Sequence, residues 1–158
     1  MKKYLLTMLA VLAGSNMWAQ SFSYTESNKT LTIVVTEDLS KDNDAAGKVQ
    51  TKMAEKKPET VIVNGGGQIN SNFVKALLYD IYSSTNANVK TLDLGGVVLT
   101  DWDCNTFRKN SDNKHVWDLK IETLALPKTP DNIIPDEPFL KKDEYHSWNE
   151  LKKLVIPE

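Results

Sequence analysis

The 158-residue sequence is short of the residue types on which reactive or covalently stapled proteins depend. It has one cysteine, Cys104, one arginine, Arg108, and two histidines, His115 and His146. A single thiol closes no internal disulfide, so packing must hold the chain together. A lone guanidinium leaves no arginine clamp for phosphate or carboxylate groups. No sign of charge dominates, with 19 basic residues against 21 acidic, which argues against nucleic acid or an anionic membrane as the main partner. Long apolar runs are missing too, since the stretch from Leu5 to Ala13 is too short to span a bilayer.

That short apolar stretch has a different meaning at the N-terminus. Lys2 and Lys3 precede it, and Met17-Trp18-Ala19 before Gln20 follows it, the order of a positive region, an apolar region and a small-residue cleavage site. Residues 1–19 therefore read as a signal peptide cut after Ala19, and residues 20–158 as one exported domain destined for the periplasm, the cell surface or the medium. No cysteine stands near the cut to take a lipid. Loss of Lys2 and Lys3 leaves 17 basic residues against 21 acidic, a formal charge of −4.

What the chain does have is a phrase that returns five times. Lys29-Thr30-Leu31-Thr32-Ile33, Glu59-Thr60-Val61-Ile62-Val63, Lys90-Thr91-Leu92-Asp93-Leu94, Glu122-Thr123-Leu124-Ala125-Leu126 and Lys152-Lys153-Leu154-Val155-Ile156 start 30, 31, 32 and 30 residues apart. A period of about 31 is that of a stacked repeat. Apolar residues two apart make each phrase a short strand with one buried face, near 31–33, 61–63, 92–94, 124–126 and 154–156. Stacked in parallel, equivalent residues lie about 4.8 Å apart. The first column then alternates in charge, Lys29, Glu59, Lys90, Glu122, Lys152, and the second is a threonine ladder ending at Lys153. Both favour the in-register stack by roughly 0.2–1 kcal/mol per neighbouring pair.

Between phrases the pattern changes period. Ala45, Val49 and Met53 mark a helix over 42–57, closed by Pro58. Gly65-Gly66-Gly67 releases the second strand, Asn70 or Ser71 caps a helix, and Phe73, Leu77 and Ile81 form its face, widened by Val74, Leu78 and Tyr82. The third unit has bulk at Trp102, Phe107 and Trp117 but a polar loop over 109–114. In the fourth, Pro127, Pro130, Pro135 and Pro138 predict an irregular return path with one helical turn near Ser147–Leu151. Strand, helix, strand implies parallel strands and right-handed crossovers.

Longer windows carry a family likeness. Val89-x-x-Leu92-x-Leu94-x-x-Val97-x-Leu99 resembles the leucine-rich repeat, with valine where asparagine usually stands. Ile121-x-x-Leu124-x-Leu126-Pro127 and Leu151-x-x-Leu154-x-Ile156-Pro157 resemble the corresponding segment of BspA-like leucine-rich-repeat surface proteins of Bacteroides-type bacteria, over residues 58–158. The resemblance implies a curved solenoid used for adhesion and ligand binding at the cell surface. The fold expected is thus α/β, a leucine-rich-repeat-like right-handed solenoid with a parallel sheet on one face and helices or irregular segments on the other.

Constellations that could carry chemistry are sparse. Asp101-Trp102-Asp103-Cys104 with His115 and Asp118 gathers a thiol, an imidazole and carboxylates, but no flanking motif makes it a nucleophile-base pair or a metal site, and a polar loop around a small buried cysteine is the simpler reading. Asp143, Glu144 and His146 read as a solvated turn. Gly65-Gly66-Gly67 lacks phosphate-loop spacing. Trp102, Trp117, Tyr145 and Trp148 could line an aromatic surface, although core packing suits at least two of them.

The residues between the apolar pairs, Thr32, Ile62, Asp93, Ala125 and Val155, form the candidate ligand-binding column, small and mostly apolar, on the expected concave face. The expectation is a non-enzymatic scaffold, without cofactor, catalytic residue or metal, that recognises a protein or glycan outside the cytoplasm. The alternative is a structural or assembly module, or the N-terminal part of a longer array, with self-association through the C-terminal strand. A hydrolase using Cys104 and His115 is the third and least supported reading.

Overall fold

A computed structural model describes residues 20–25, 28–36, 38–39, 45–82, 88–102, 106–107, 119–130, 148 and 150–157. Residues 1–19, read above as a signal peptide, lie outside the described residues, as do Cys104, Arg108, His115, Trp117, Tyr145 and His146, residues 109–114, read above as a polar loop, and the cluster partners Asp103, Asp118, Asp143 and Glu144. The elements are β1 (Gln20–Thr25), β2 (Thr30–Val35), α1 (Ala45–Lys56), β3 (Thr60–Asn64), β4 (Gln68–Ile69), α2 (Ser71–Tyr82), β5 (Thr91–Asp93), β6 (Val98–Leu99), β7 (Thr123–Ala125) and β8 (Lys153–Val155).

The main sheet runs β1-β2-β3-β5-β7-β8. Its last five strands are parallel and come from the five phrases, so the protein is a mixed α/β structure around a five-stranded parallel sheet. Leu31 pairs with Val61, Val61 with Leu92, Leu92 with Leu124 and Leu124 with Leu154. The register is set by burial: Leu31, Ile33, Val61, Val63, Leu92, Leu94, Leu124 and Leu126 are all at most 1% exposed. A slip of one residue would turn every one of them to the opposite face.

β1 is a departure from the all-parallel expectation. It forms an antiparallel hairpin with β2, Gln20 opposite Val35 and Thr25 opposite Thr30. The chain enters β2 through Lys29 at φ 49°, a left-handed turn position that lysine occupies less readily than glycine or asparagine. The alternation of Phe22 and Tyr24 with Ser21, Ser23 and Thr25 is a short strand signal, but it falls outside the repeated phrase.

A second, smaller ladder runs alongside the first. β4 pairs in parallel with β6, and single bridges add Asp38 to Gln68 and Val98 to Lys128. The bridged positions 38, 68, 98 and 128 are each 30 residues apart, and their neighbours Leu39, Ile69 and Leu99 are buried. The turns joining the two ladders stack backbone on backbone. A Cβ on Gly65, at φ +110°, would come within 2.4 Å of the Val35 carbonyl oxygen, and one on Gly96 within 2.5 Å of the Asn64 Cβ. Glycine is required at both positions by space.

The core lies against the inner side of the main sheet. Val49 and Met53 of α1, Phe73, Val74, Leu77, Leu78 and Ile81 of α2, and Val89, Phe107, Leu119 and Ile121 from the connections fill it. Lys56 ends α1, Lys57 follows at φ 47° and donates its backbone N–H to the Met53 carbonyl, and Pro58 is buried behind it. This is a left-handed C-terminal cap followed by proline. The turn expected near Ser147–Leu151 is represented by the Leu151 N–H donating to the Trp148 carbonyl at 3.2 Å. Among the described residues, no helix is long and apolar enough to cross a membrane.

Candidate functional site

Strand alternation sends the residues between the apolar pairs to the face away from the core. Thr32 pairs with Ile62, Ile62 with Asp93, Asp93 with Ala125 and Ala125 with Val155, so the five candidate residues form one continuous row across the sheet. Thr32, Ile62 and Asp93 are half-buried, Ala125 is buried, and Val155 is 38% exposed. Beside this row runs Thr30, Thr60, Thr91, Thr123 and Lys153. The face therefore offers methyl groups and hydroxyls with one carboxylate at its centre.

That carboxylate is engaged locally. Asp93 Oδ1 accepts a hydrogen bond from the Gly95 N–H at 2.9 Å, an Asx turn that bends the chain toward β6. Among the described residues, the row holds no second acid or base beside Asp93. The row can make apolar and hydroxyl contacts with an extended chain or a flat ring.

The charge column flanks the row at the start of the strands. Lys29 Nζ donates to Glu59 Oε1 at 2.6 Å, and Lys152 Nζ to Glu122 Oε2 at 2.8 Å. The Lys29 ammonium holds the Glu59 carboxyl below its ordinary range, with a further contribution from Lys90. Glu122 is lowered in the same way by Lys152 and then Lys90, and Glu122 in turn raises the Lys152 ammonium. Each pair is solvent-exposed and contributes little to stability by itself. Its value is in specifying which strand lies beside which, since a shift to the next like-charged neighbour is disfavoured.

The same column organises the backbone. The carbonyls of Lys29, Glu59, Lys90 and Glu122 each accept two N–H groups from the next strand, at 2.7–3.3 Å. Each phrase is thereby locked to its successor at its first residue.

On the other side of the sheet, Asn70 Oδ1 accepts from the Phe73 N–H at 2.8 Å, capping α2 as its side chain allows. A second cap comes from 30 residues further on. Asp101 accepts from both the Ser71 N–H, at 2.5 Å, and the Ser71 hydroxyl, at 2.9 Å. Asp101 thus belongs to a helix terminus, where its negative charge also suits the macrodipole. Trp102 packs on Phe107 at 5.2 Å between ring centroids and Phe107 on Trp148 at 6.4 Å. Both tryptophans are partly buried against the core, as core packing requires.

Besides β1, two further features had not been expected from the sequence. The second ladder had a signal in the 30-residue spacing of Leu39, Ile69 and Leu99, hidden by the variable residues around them. Buried Asp80 in the last turn of α2 had none, because a carboxylate on an apolar helix face reads as exposed. Burial pushes its carboxyl up to about 7. Among the described residues, no group of three or more His, Cys, Asp or Glu could hold a metal ion.

No family model, curated protein or solved structure matches this chain.

Proposed function

We propose that the chain is an exported, non-enzymatic, right-handed solenoid of the leucine-rich-repeat type, resembling BspA-like surface proteins, that recognises a protein or glycan through the outer face of its parallel sheet. The observation that carries this reading is the row Thr32, Ile62, Asp93, Ala125 and Val155, aligned across five parallel strands and backed by a solid core. A flat row of small apolar and hydroxyl groups on a rigid support is suited to recognition, because little conformational entropy is lost on contact.

The test is a binding screen of residues 20–158 against a glycan array and intact bacterial cells. Ile62→Arg, on the row, should abolish saturable binding, whereas Lys52→Glu on exposed α1 should leave it intact. Binding indifferent to Ile62→Arg, or turnover of a substrate, would sink this reading. Export is tested separately by mass measurement of the secreted product, whose N-terminus should be Gln20.

The assembly-module reading is favoured by one specific observation, the exposure of Leu154, Val155 and Ile156 on the final strand.

A further inference from the structure

We infer that the outer face of the sheet selects an extended protein segment carrying one lysine or arginine between apolar residues, with Asp93 as the group that takes the cation. This rests on the reading of that face as a recognition surface and names what the face recognises. Four polar groups at its middle, one carboxylate and three hydroxyls, point to the ligand.

The carboxylate is fixed but only half used. Asp93 Oδ1 is tied to the Gly95 N–H at 2.9 Å, which sets the orientation of the group. Its second oxygen, Oδ2, receives no hydrogen bond and no ion pair from any described residue. Its neighbours across the sheet, Ile62 and Ala125, carry no charge. A half-buried carboxylate in this setting has a desolvation cost that a bound cation relieves.

The lysines of the same sheet are placed elsewhere. Lys90 immediately precedes β5, on the opposite side from Asp93 by strand alternation, and it acts on Glu59 and Glu122, lowering both carboxyls. Lys153 shares the face of Asp93 but belongs to β8, two strands away and two residues back in register. Strand spacing puts it about 12 Å off, where physiological salt screens most of its effect.

The hydroxyls are those of Thr60, Thr91 and Thr123, which form the adjoining row in register. All three residues are half-buried, and their hydroxyls make no hydrogen bond with any described residue. An ammonium has three donors and a guanidinium five, so one cation can meet Oδ2 and neighbouring hydroxyls together. Ile62, Ala125 and the threonine methyl groups give apolar flanks. The row crosses five strands, about 19 Å, which is the reach of about six extended residues. A neutral glycan leaves Asp93 unpaired and an acidic one is repelled by it, whereas a peptide sets a basic side chain among apolar ones, as this face requires.

The test pans a displayed library of random peptides of that length on the purified protein, then measures the enriched peptide, synthesised with a fluorophore, by anisotropy. The enriched peptides should share one lysine or arginine. Asp93→Asn keeps an oxygen for the Gly95 N–H, so Tm should hold while affinity falls on the order of 5-fold at low salt, a loss that shrinks at high salt. Asp93→Lys, panned in parallel, should enrich acidic peptides instead. Enrichment without a basic residue, affinity unmoved by Asp93→Asn, unchanged peptide preference in Asp93→Lys, or no enrichment at all overturns the inference. Peptide or glycan binding that Ile62→Arg abolishes and Asp93→Asn leaves intact keeps the proposed function and removes the cation, whereas binding indifferent to both substitutions removes both.

Discussion

The two helices fill equivalent places between successive strands, both are 12 residues long, and they are built to different standards. α2 buries seven side chains, including Phe73, Leu77 and Ile81, and has Asn70 and Asp101 on its N-terminus. Of the α1 side chains described, only Val49 and Met53 are buried, and Gly47 sits in its first turn facing open space. The difference teaches that the parallel strand layer is the constant part of the fold, while a connecting helix can range from a principal wall of the core to a light cover.

The largest expected effect comes from truncating each wall in turn. Leu77→Ala should destabilise by about 3–4 kcal/mol and Val49→Ala by about 1–2 kcal/mol, measured by urea unfolding. Equal losses would erase the distinction between the helices. Asp80 gives a pH test of the same contrast. Its pKa is raised from 3.8 to about 7 by burial, and no basic residue stands in the last turn of α2 to offset the macrodipole there. The folded state therefore holds this proton more tightly than the unfolded chain. Its stabilising effect is complete below about pH 3.8 and is lost as pH rises through about 7. Asp80→Asn should flatten that decline and exceed the parent by roughly 1–3 kcal/mol at pH 8, with near parity at pH 4. A parent stability that rises from pH 5 to 8 relative to the variant would contradict the buried carboxyl.

Smaller effects sharpen the ends of the helices. Asn70→Ala should cost about 1 kcal/mol through loss of the Phe73 N–H acceptor, a loss moderated by the second cap at Asp101. Double removal with Asp101→Ala should exceed the sum of the single losses if the two caps substitute for each other. Gly47→Ala should stabilise α1 by about 0.5–1 kcal/mol, since its added methyl meets nothing within 4 Å. A destabilisation there would mean that α1 depends on that glycine for its packing.

Much of the strand layer was legible because each phrase carries its own burial code. Leu31, Val61, Leu92, Leu124 and Leu154 share a column in the structure because each stands third in its phrase, and the alternating Lys and Glu predicted the neighbours that Lys29–Glu59 and Lys152–Glu122 make. The second helix was legible from Phe73, Leu77 and Ile81, with its cap narrowed to Asn70 or Ser71; its span of Ser71–Tyr82 and the choice of Asn70 came from the structure. The candidate row Thr32, Ile62, Asp93, Ala125 and Val155 was aligned correctly, but its partial burial was not readable, because exposure depends on neighbouring segments. Asp101 illustrates the same limit. It read as one of a cluster of reactive side chains, and its place at the start of α2 depends on a contact between residues 30 apart in the chain.

By itself, then, the sequence determined strand register and the identity of the buried columns, since these follow from residue alternation within each phrase. Only the tertiary structure decided that β1 returns antiparallel, that a second ladder runs through positions 38, 68, 98 and 128, that Asp101 caps a helix 30 residues before it, and that the apolar column is bare at Leu154 and Ile156. Each of these is a relation between segments distant in the chain. Local patterns report which side of an element is apolar, but not which neighbour covers it.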